Sequence, residues 1–227
     1  MYNKLFGNYN VDIVMCIDGT ASMRPVMAEV KAKALSFHKK LFEALEEYYE
    51  IVGQLRIKVI VFRDYVCGER PIEESEFFVL DGQTAEFNAF VNAIEAKGES
   101  QCKNALEAIA VALKSDWTTG GSRRRHIILV FSDSAALPLG ECASCAGYPR
   151  GMPENLNALT AWWEGFNNSL DSNYQNLFGR MVAFVPNAYP WTDMQAWNRY
   201  WPVFSRAGDG VSDDEIRDIC DCLIGDI

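Results

Sequence analysis

The stretch Val11-Asp-Ile-Val-Met-Cys-Ile-Asp18-Gly-Thr20-Ala-Ser22 decides the fold. Val11–Ile17 is an apolar run of strand length, the mark of a central strand covered on both faces. One carboxylate follows, Asp18, and then two hydroxyls, Thr20 and Ser22. A buried strand delivers its last residue to the edge of a sheet, so the turn beyond it presents three small oxygen groups to one point. Oxygen-only donors with few formal charges suit Mg²⁺ or Mn²⁺ better than a softer metal.

Outward from this strand the chain alternates. Pro25 suits a first helical turn, and Val26, Val30, Ala34, Phe37, Leu41, Phe42 and Leu45 fall at helical spacing to about residue 50. Leu55–Phe62 reads as a strand ending in Arg63-Asp64-Tyr65, and Glu76–Leu80 as a short edge strand. Ala85–Ala96 and Lys103–Ser115 read as amphipathic helices. Ile127–Phe131 is a second fully apolar strand, ending in Ser132-Asp133-Ser134, and a loop rich in Gly, Pro and Cys covers 137–153. Beyond it come a helix over Glu154–Leu170, a strand over Met181–Val185 and an aromatic helix over Trp191–Trp201. A terminal helix over Ser212–Ile224 has Ser212 as N-cap and Glu215 three residues on. Strands and helices in this rhythm predict an α/β fold: a Rossmann-like three-layer sandwich, its mostly parallel sheet covered by helices on both faces. No repeat or long linker interrupts it, so the 227 residues form one domain with a core over about 10–225.

Composition narrows the function. A net charge of −10 argues against a nucleic-acid partner, which needs a basic footprint. The basic run Arg123-Arg124-Arg125-His126 directly precedes an apolar strand and reads as a solvated loop. No apolar stretch approaches the ~20 residues of a membrane span, and Met1–Asn10 does not resemble a leader. Seven cysteines, an odd number with Cys16 inside a core strand, fit free thiols in a cytoplasm. Five Trp and Tyr residues between Tyr189 and Trp201, with Trp162 and Trp163, belong mostly to the core, with one or two available for a partner surface.

In open α/β sheets, ligands bind outside the carboxyl ends of the strands. Three strands here end in an acid, at Asp18, Asp64 and Asp133. Carboxylates converging on one edge repel each other, and a cation is the economical compensation.

On these residues the chain resembles a von Willebrand factor A domain, specifically the intracellular bacterial group that includes tellurite-resistance-associated proteins. The family's metal-ion-dependent adhesion site is an Asp-x-Ser-x-Ser turn, a Thr from a later loop, and an Asp after the fourth strand. Asp18, Thr20 and Ser22 match the turn, and Asp133 in Val130-Phe-Ser-Asp-Ser-Ala135 matches the last element. In the loop Lys97-Gly-Glu-Ser-Gln-Cys-Lys-Asn-Ala-Leu106, Ser100 falls at the Thr position, with Glu99 beside it as the alternative ligand. The resemblance therefore implies Mg²⁺ (or Mn²⁺) held by Asp18, Thr20, Ser22, Ser100 and Asp133; Asp64 reads either as an acid behind the metal or as a partner for Arg63 or Arg180. A protein partner would complete the coordination with its own Asp or Glu. It implies recognition in bacterial stress-response or defence systems, with no catalysis.

Two other readings compete with it. A degenerate domain of the same type would bind partners without metal. A Mg²⁺-dependent phosphatase of the haloacid-dehalogenase type would need a second carboxylate two positions after Asp18, where Thr20 stands and cannot serve as acid or base. Cys142-x-x-Cys145 has the spacing of half a zinc site or of a redox pair. Cys220-x-Cys222 is too tight to complete a zinc site, so accessible loop thiols are the plainer reading.

Overall fold

Hydrogen bonding along Val11–Ile17 extends further than its apolar run, giving strand β1 over Tyr9–Asp18. The computed structural model describes residues 9–47, 52–65, 71–98, 103–120, 123–168 and 177–204. β1 lies at the centre of a seven-stranded sheet, paired in parallel with β2 (Val52–Phe62) on one side and β5 (Arg123–Phe131) on the other. The order is β3-β2-β1-β5-β6-β7, where β6 is Leu177–Val185 and β7 is Tyr200–Phe204. β3 (Ile72–Glu74) and the two-residue β4 (Phe78–Val79) both run antiparallel to β2, so the sheet is mixed but mostly parallel.

The period of two along the strands divides the core into two layers. Val11, Ile13, Met15 and Ile17 of β1 pack with Ile127, Leu129 and Phe131 of β5. Helices α1 (Met27–Glu47) and α2 (Leu80–Ala93) cover that face through Met27, Ala34, Phe37, Phe87 and Val91. Val14, Cys16, Ile128 and Val130 point the other way, under α3 (Ala105–Leu113) and α4 (Leu156–Asn168). α3 is buried almost all round, because its small alanines let the backbone lie close to β1 and β2. The expected three-layer α/β sandwich is what the chain forms.

Several elements differ from the sequence reading. Pro25 does not open α1: Ala21–Met23 form a 3₁₀ turn first, and the helix starts at Met27. The Glu76–Leu80 strand shrinks to Phe78–Val79, and Leu80 already begins α2, while β3 supplies the edge. Arg123–His126 is not a loop but the first four residues of β5, paired with Tyr9–Asp12. His126 is held there by a hydrogen bond to the Thr118 carbonyl (3.1 Å) and by the rings of Trp117 and Phe166. Trp191–Trp201 is not a helix. A 3₁₀ turn over Asp193–Ala196 gives way to β7, where Pro202 is tolerated because the strand is at the sheet edge. Aromatic spacing imitated a helical period, but each indole is placed by its own partner: Trp191 Nε1 donates to the Ser134 carbonyl and Trp197 Nε1 to Thr160 Oγ1. The expected Ser212–Ile224 helix lies outside the described residues. Among the described residues no helix is long and apolar enough to cross a membrane.

Candidate functional site at the carboxyl edge

β1 ends at the carboxyl edge of the sheet with Asp18, fully buried. Gly19 then turns the chain across the end of β2, its amide donating to the Phe62 carbonyl (2.8 Å). A Cβ at Gly19 would stand 2.6 Å from Val61 Cγ1, so only glycine allows this approach. The Gly19 carbonyl in turn accepts from the Lys97 amide (2.8 Å), tying the turn to the segment after α2. Asp18 Oδ1 accepts both the Thr20 amide (2.9 Å) and the Thr20 hydroxyl (2.6 Å). Its Oδ2 accepts Ser132 Oγ–H (2.8 Å) from the end of β5.

Thr20 Oγ1 lies 3.2 Å from Ser22 Oγ, and Ser22 Oγ donates to Asp133 Oδ1 (3.0 Å). Four of the five expected ligands, Asp18, Thr20, Ser22 and Asp133, thus come together from two distant chain segments. Ser100 and Glu99 lie outside the described residues. Asp64 is buried just past the end of β2. Neighbouring Arg63 pairs with Glu73 (3.4 Å) and donates to the Glu95 carbonyl (3.2 Å).

A fifth residue joins the cluster. Lys103, 1 % exposed, reaches into the middle of the four donors. Its Nζ is 2.9 Å from Asp18 Oδ2, 3.0 Å from Asp133 Oδ1 and 2.6 Å from Ser22 Oγ, and it also donates to Thr20 Oγ1. The segment preceding α3 delivers it, anchored by the Leu137 amide on the Lys103 carbonyl (2.9 Å). The sequence reading placed Lys103 inside a helix that in fact starts at Ala105. The signal that could have found it is the acid excess itself, because a lysine in a loop aimed at that edge compensates carboxylates as a metal would.

Glu107 in the first turn of α3 is fully buried and accepts a hydrogen bond from Tyr148 Oη (3.1 Å). Burial pushes its carboxyl above the usual glutamate range. Cys142 and Cys145 are free thiols joined by a backbone turn, and burial raises the Cys142 thiol, which opposes thiolate chemistry. Cys220 and Cys222 lie outside the described residues. Among the described residues no group of three or more His, Cys, Asp and Glu is placed to hold a metal.

The family model of the von Willebrand factor type A domain matches residues 13–135, from the middle of β1 to just past Asp133. The chain belongs to the von Willebrand factor type A family. No curated protein matches it. Among solved structures, a von Willebrand factor type A protein from Catenulispora acidiphila superposes with a TM-score of 0.57 at 11% identity, over 96% of this chain and 43% of that one. The pilus adhesin SpaC of Lactobacillus rhamnosus GG, in its open conformation, gives 0.54 at 11% identity, over 97% and 30%. The PilB minor pilin of Streptococcus sanguinis gives 0.51 at 12% identity, over 98% and 62%. This von Willebrand A chain therefore spans less than two thirds of each, and the likeness is one of fold. Domains of the family are typically protein-interaction modules and generally not catalysts.

Does the von Willebrand A site fit a divalent ion? By donor type it does. The successive oxygens of Thr20, Ser22 and Asp133 are 3.2 and 3.0 Å apart, close to the roughly 3.0 Å edge of an octahedron with ~2.1 Å Mg–O bonds. By space it does not, since the Lys103 ammonium already contacts the same four side chains.

Proposed function

We propose that this von Willebrand A domain is a protein-recognition module that engages its partner through the carboxyl edge of the sheet. The observation that carries the reading is the convergence of Asp18, Thr20, Ser22 and Asp133 on one point of that edge. Among the described residues around the point, Ser22 and Ala135 are exposed, and so is Tyr189, whose carbonyl accepts the Ala136 amide of the Asp133 loop (3.3 Å). An exposed tyrosine beside a polar cluster is the residue type that anchors interfaces. Service in a bacterial stress-response or defence assembly belongs to the same proposal and rests on the sequence resemblance to the tellurite-resistance-associated group.

The chemistry of the cluster favours binding over turnover. Ser22 Oγ lies 2.6 Å from Lys103 Nζ, a spacing a serine–lysine hydrolase would use. That chemistry needs a neutral amine. Here the Lys103 nitrogen is ion-paired with Asp18 (2.9 Å) and Asp133 (3.0 Å), contacts an amine acting as base would have to give up.

The test is to cross-link the domain to its partner in cells, identify the partner, and measure affinity with purified proteins. Ser22→Arg and Tyr189→Ala should each weaken binding at least tenfold, about 1.4 kcal/mol. Gln54→Arg, exposed at the opposite end of the sheet, should leave it unchanged. Equal loss from both ends, or from Gln54→Arg alone, would refute recognition by this edge.

A further inference from the structure

We infer that Lys103 is the resident cation of this site: its ammonium stands in the metal's place, and the domain recognises its partner without a divalent ion. This deepens the recognition reading above and rests on it only for the identity of the surface.

The argument begins with distances. Apart from the Thr20 contact, Nζ lies 2.6–3.0 Å from the oxygens of Ser22, Asp18 and Asp133. Those three are the lengths of charge-assisted N–H···O bonds. Nζ and a metal ion bonded to the same oxygens would have to occupy the same place, so the two exclude each other.

The second argument is capacity. An ammonium has three N–H donors, and here four acceptors surround it. No donor is left over for a partner's carboxylate, whereas a metal keeps an open coordination position. Charge points the same way. Asp18 and Asp133 carry two negative charges against the single positive charge of Lys103, so the cluster keeps an excess of one negative charge. A divalent ion would have cancelled both. The cluster by itself therefore disfavours the acidic side chain expected from the family resemblance and favours a partner offering a basic side chain, an amide or a hydroxyl.

The third argument is burial. Lysine is almost never fully buried unless paired, and a side chain 1 % exposed with two carboxylates and two hydroxyls around its nitrogen is a built site. The oxygens of Thr20, Ser22 and Asp133 remain spaced for a metal beside the Asp18 carboxylate, so removing the amine should recreate a metal site.

Three measurements on the full chain test this. Amine labelling with mass-spectrometric readout should modify Lys103 about tenfold or more slowly than exposed Lys39, because reaction must wait for local opening. The protection should be the same in EDTA and in millimolar Mg²⁺. Calorimetry should show no saturable Mg²⁺ uptake by the wild type. Folded Lys103→Ala should gain it, and Lys103→Ala combined with Asp18→Ala should lose it again.

Labelling of Lys103 at the Lys39 rate, its exposure by Mg²⁺, or Asp18-dependent Mg²⁺ binding by the wild type would each overturn the inference. So would a folded Lys103→Ala that takes up no Mg²⁺. Should Lys103→Ala not fold, Lys103→Met replaces it, and wild-type labelling decides independently. None of these readouts needs a partner, so they can fail while the edge still binds protein, or succeed while it does not.

Discussion

Asp12 is the second carboxylate of β1 to be completely buried, six residues before Asp18 and at the opposite end of the sheet. Arg56 of β2 grips it with both prongs, Nε to Oδ1 at 2.8 Å and an Nη to Oδ2 at 2.6 Å, and the Thr118 amide adds a third bond (2.6 Å). Arg56 also lies over the Phe77 ring, 4.4 Å from its centroid. Removing one member of such a pair leaves the other charge uncompensated. Asp12→Ala should cost about 3–5 kcal/mol in urea denaturation, and Asp12→Ala with Arg56→Met should recover part of it. Glu107 makes the pH prediction. Its folded-state carboxyl titrates above the unfolded one, so the native state binds more protons across that window. The stability Glu107 contributes is then fully present below the ordinary glutamate value of about 4.3 and is lost as pH rises through the native value. Glu107→Gln should flatten that slope in melts taken from pH ~4 upward; an unchanged slope would show that the carboxyl titrates normally.

At the scale of elements, packing between α4 and β6 depends on one missing side chain. Gly179 of β6 lies under Phe166 of α4, and an added Cβ there would stand 2.5 Å from Phe166 Cδ1 and nearer still to Cε1. Glycine in a strand interior normally weakens it, and here it lets a ring rest against the backbone. Gly179→Ala should destabilise by about 1–3 kcal/mol through overpacking, read as a lower Tm. Gly179→Ala with Phe166→Leu should regain much of that loss. The same scale explains why Trp191–Trp201 looked helical. Aromatic period is set by burial, and burial against α4 and β6 can be achieved by a 3₁₀ turn followed by an edge strand. Arg123–His126 misled in the opposite direction. Charge suggested a loop, yet the strand period turns Arg125 inward and leaves Arg124 and His126 half-buried, where long stems can cover apolar surface.

For the whole molecule, the formal charge of −10 is the governing number. Repulsion among exposed acids opposes the compact state, and salt screens it. Raising NaCl from about 0.01 to about 0.15 M shortens the Debye length from ~30 to ~8 Å. The melting temperature should rise by roughly 2–4 °C, equivalent to about 1 kcal/mol for a domain of this size. A fall would mean that screened attractions outweigh the repulsion. Within the carboxyl-edge cluster, Asp18 and Lys103 sit apart from this effect, because they are buried and screened little by added ions.

The sequence by itself determined the strand-and-helix alternation, the central place of β1, the α/β class, and the meeting of Asp18, Thr20, Ser22 and Asp133. The first three follow from local rules, since apolar runs make buried strands and strand ends place their acids on one edge; the meeting of these four side chains was implied by the family resemblance. What only the tertiary structure decided is which cation those acids face. Lys103 is 85 residues from Asp18 in the chain and 30 from Asp133. A lysine is read as solvated unless something buries it, and what buries it is the docking of α3 beneath β1 and β2, a contact no local pattern encodes. The acids gave notice of a positive charge; only the fold could show the ammonium among them.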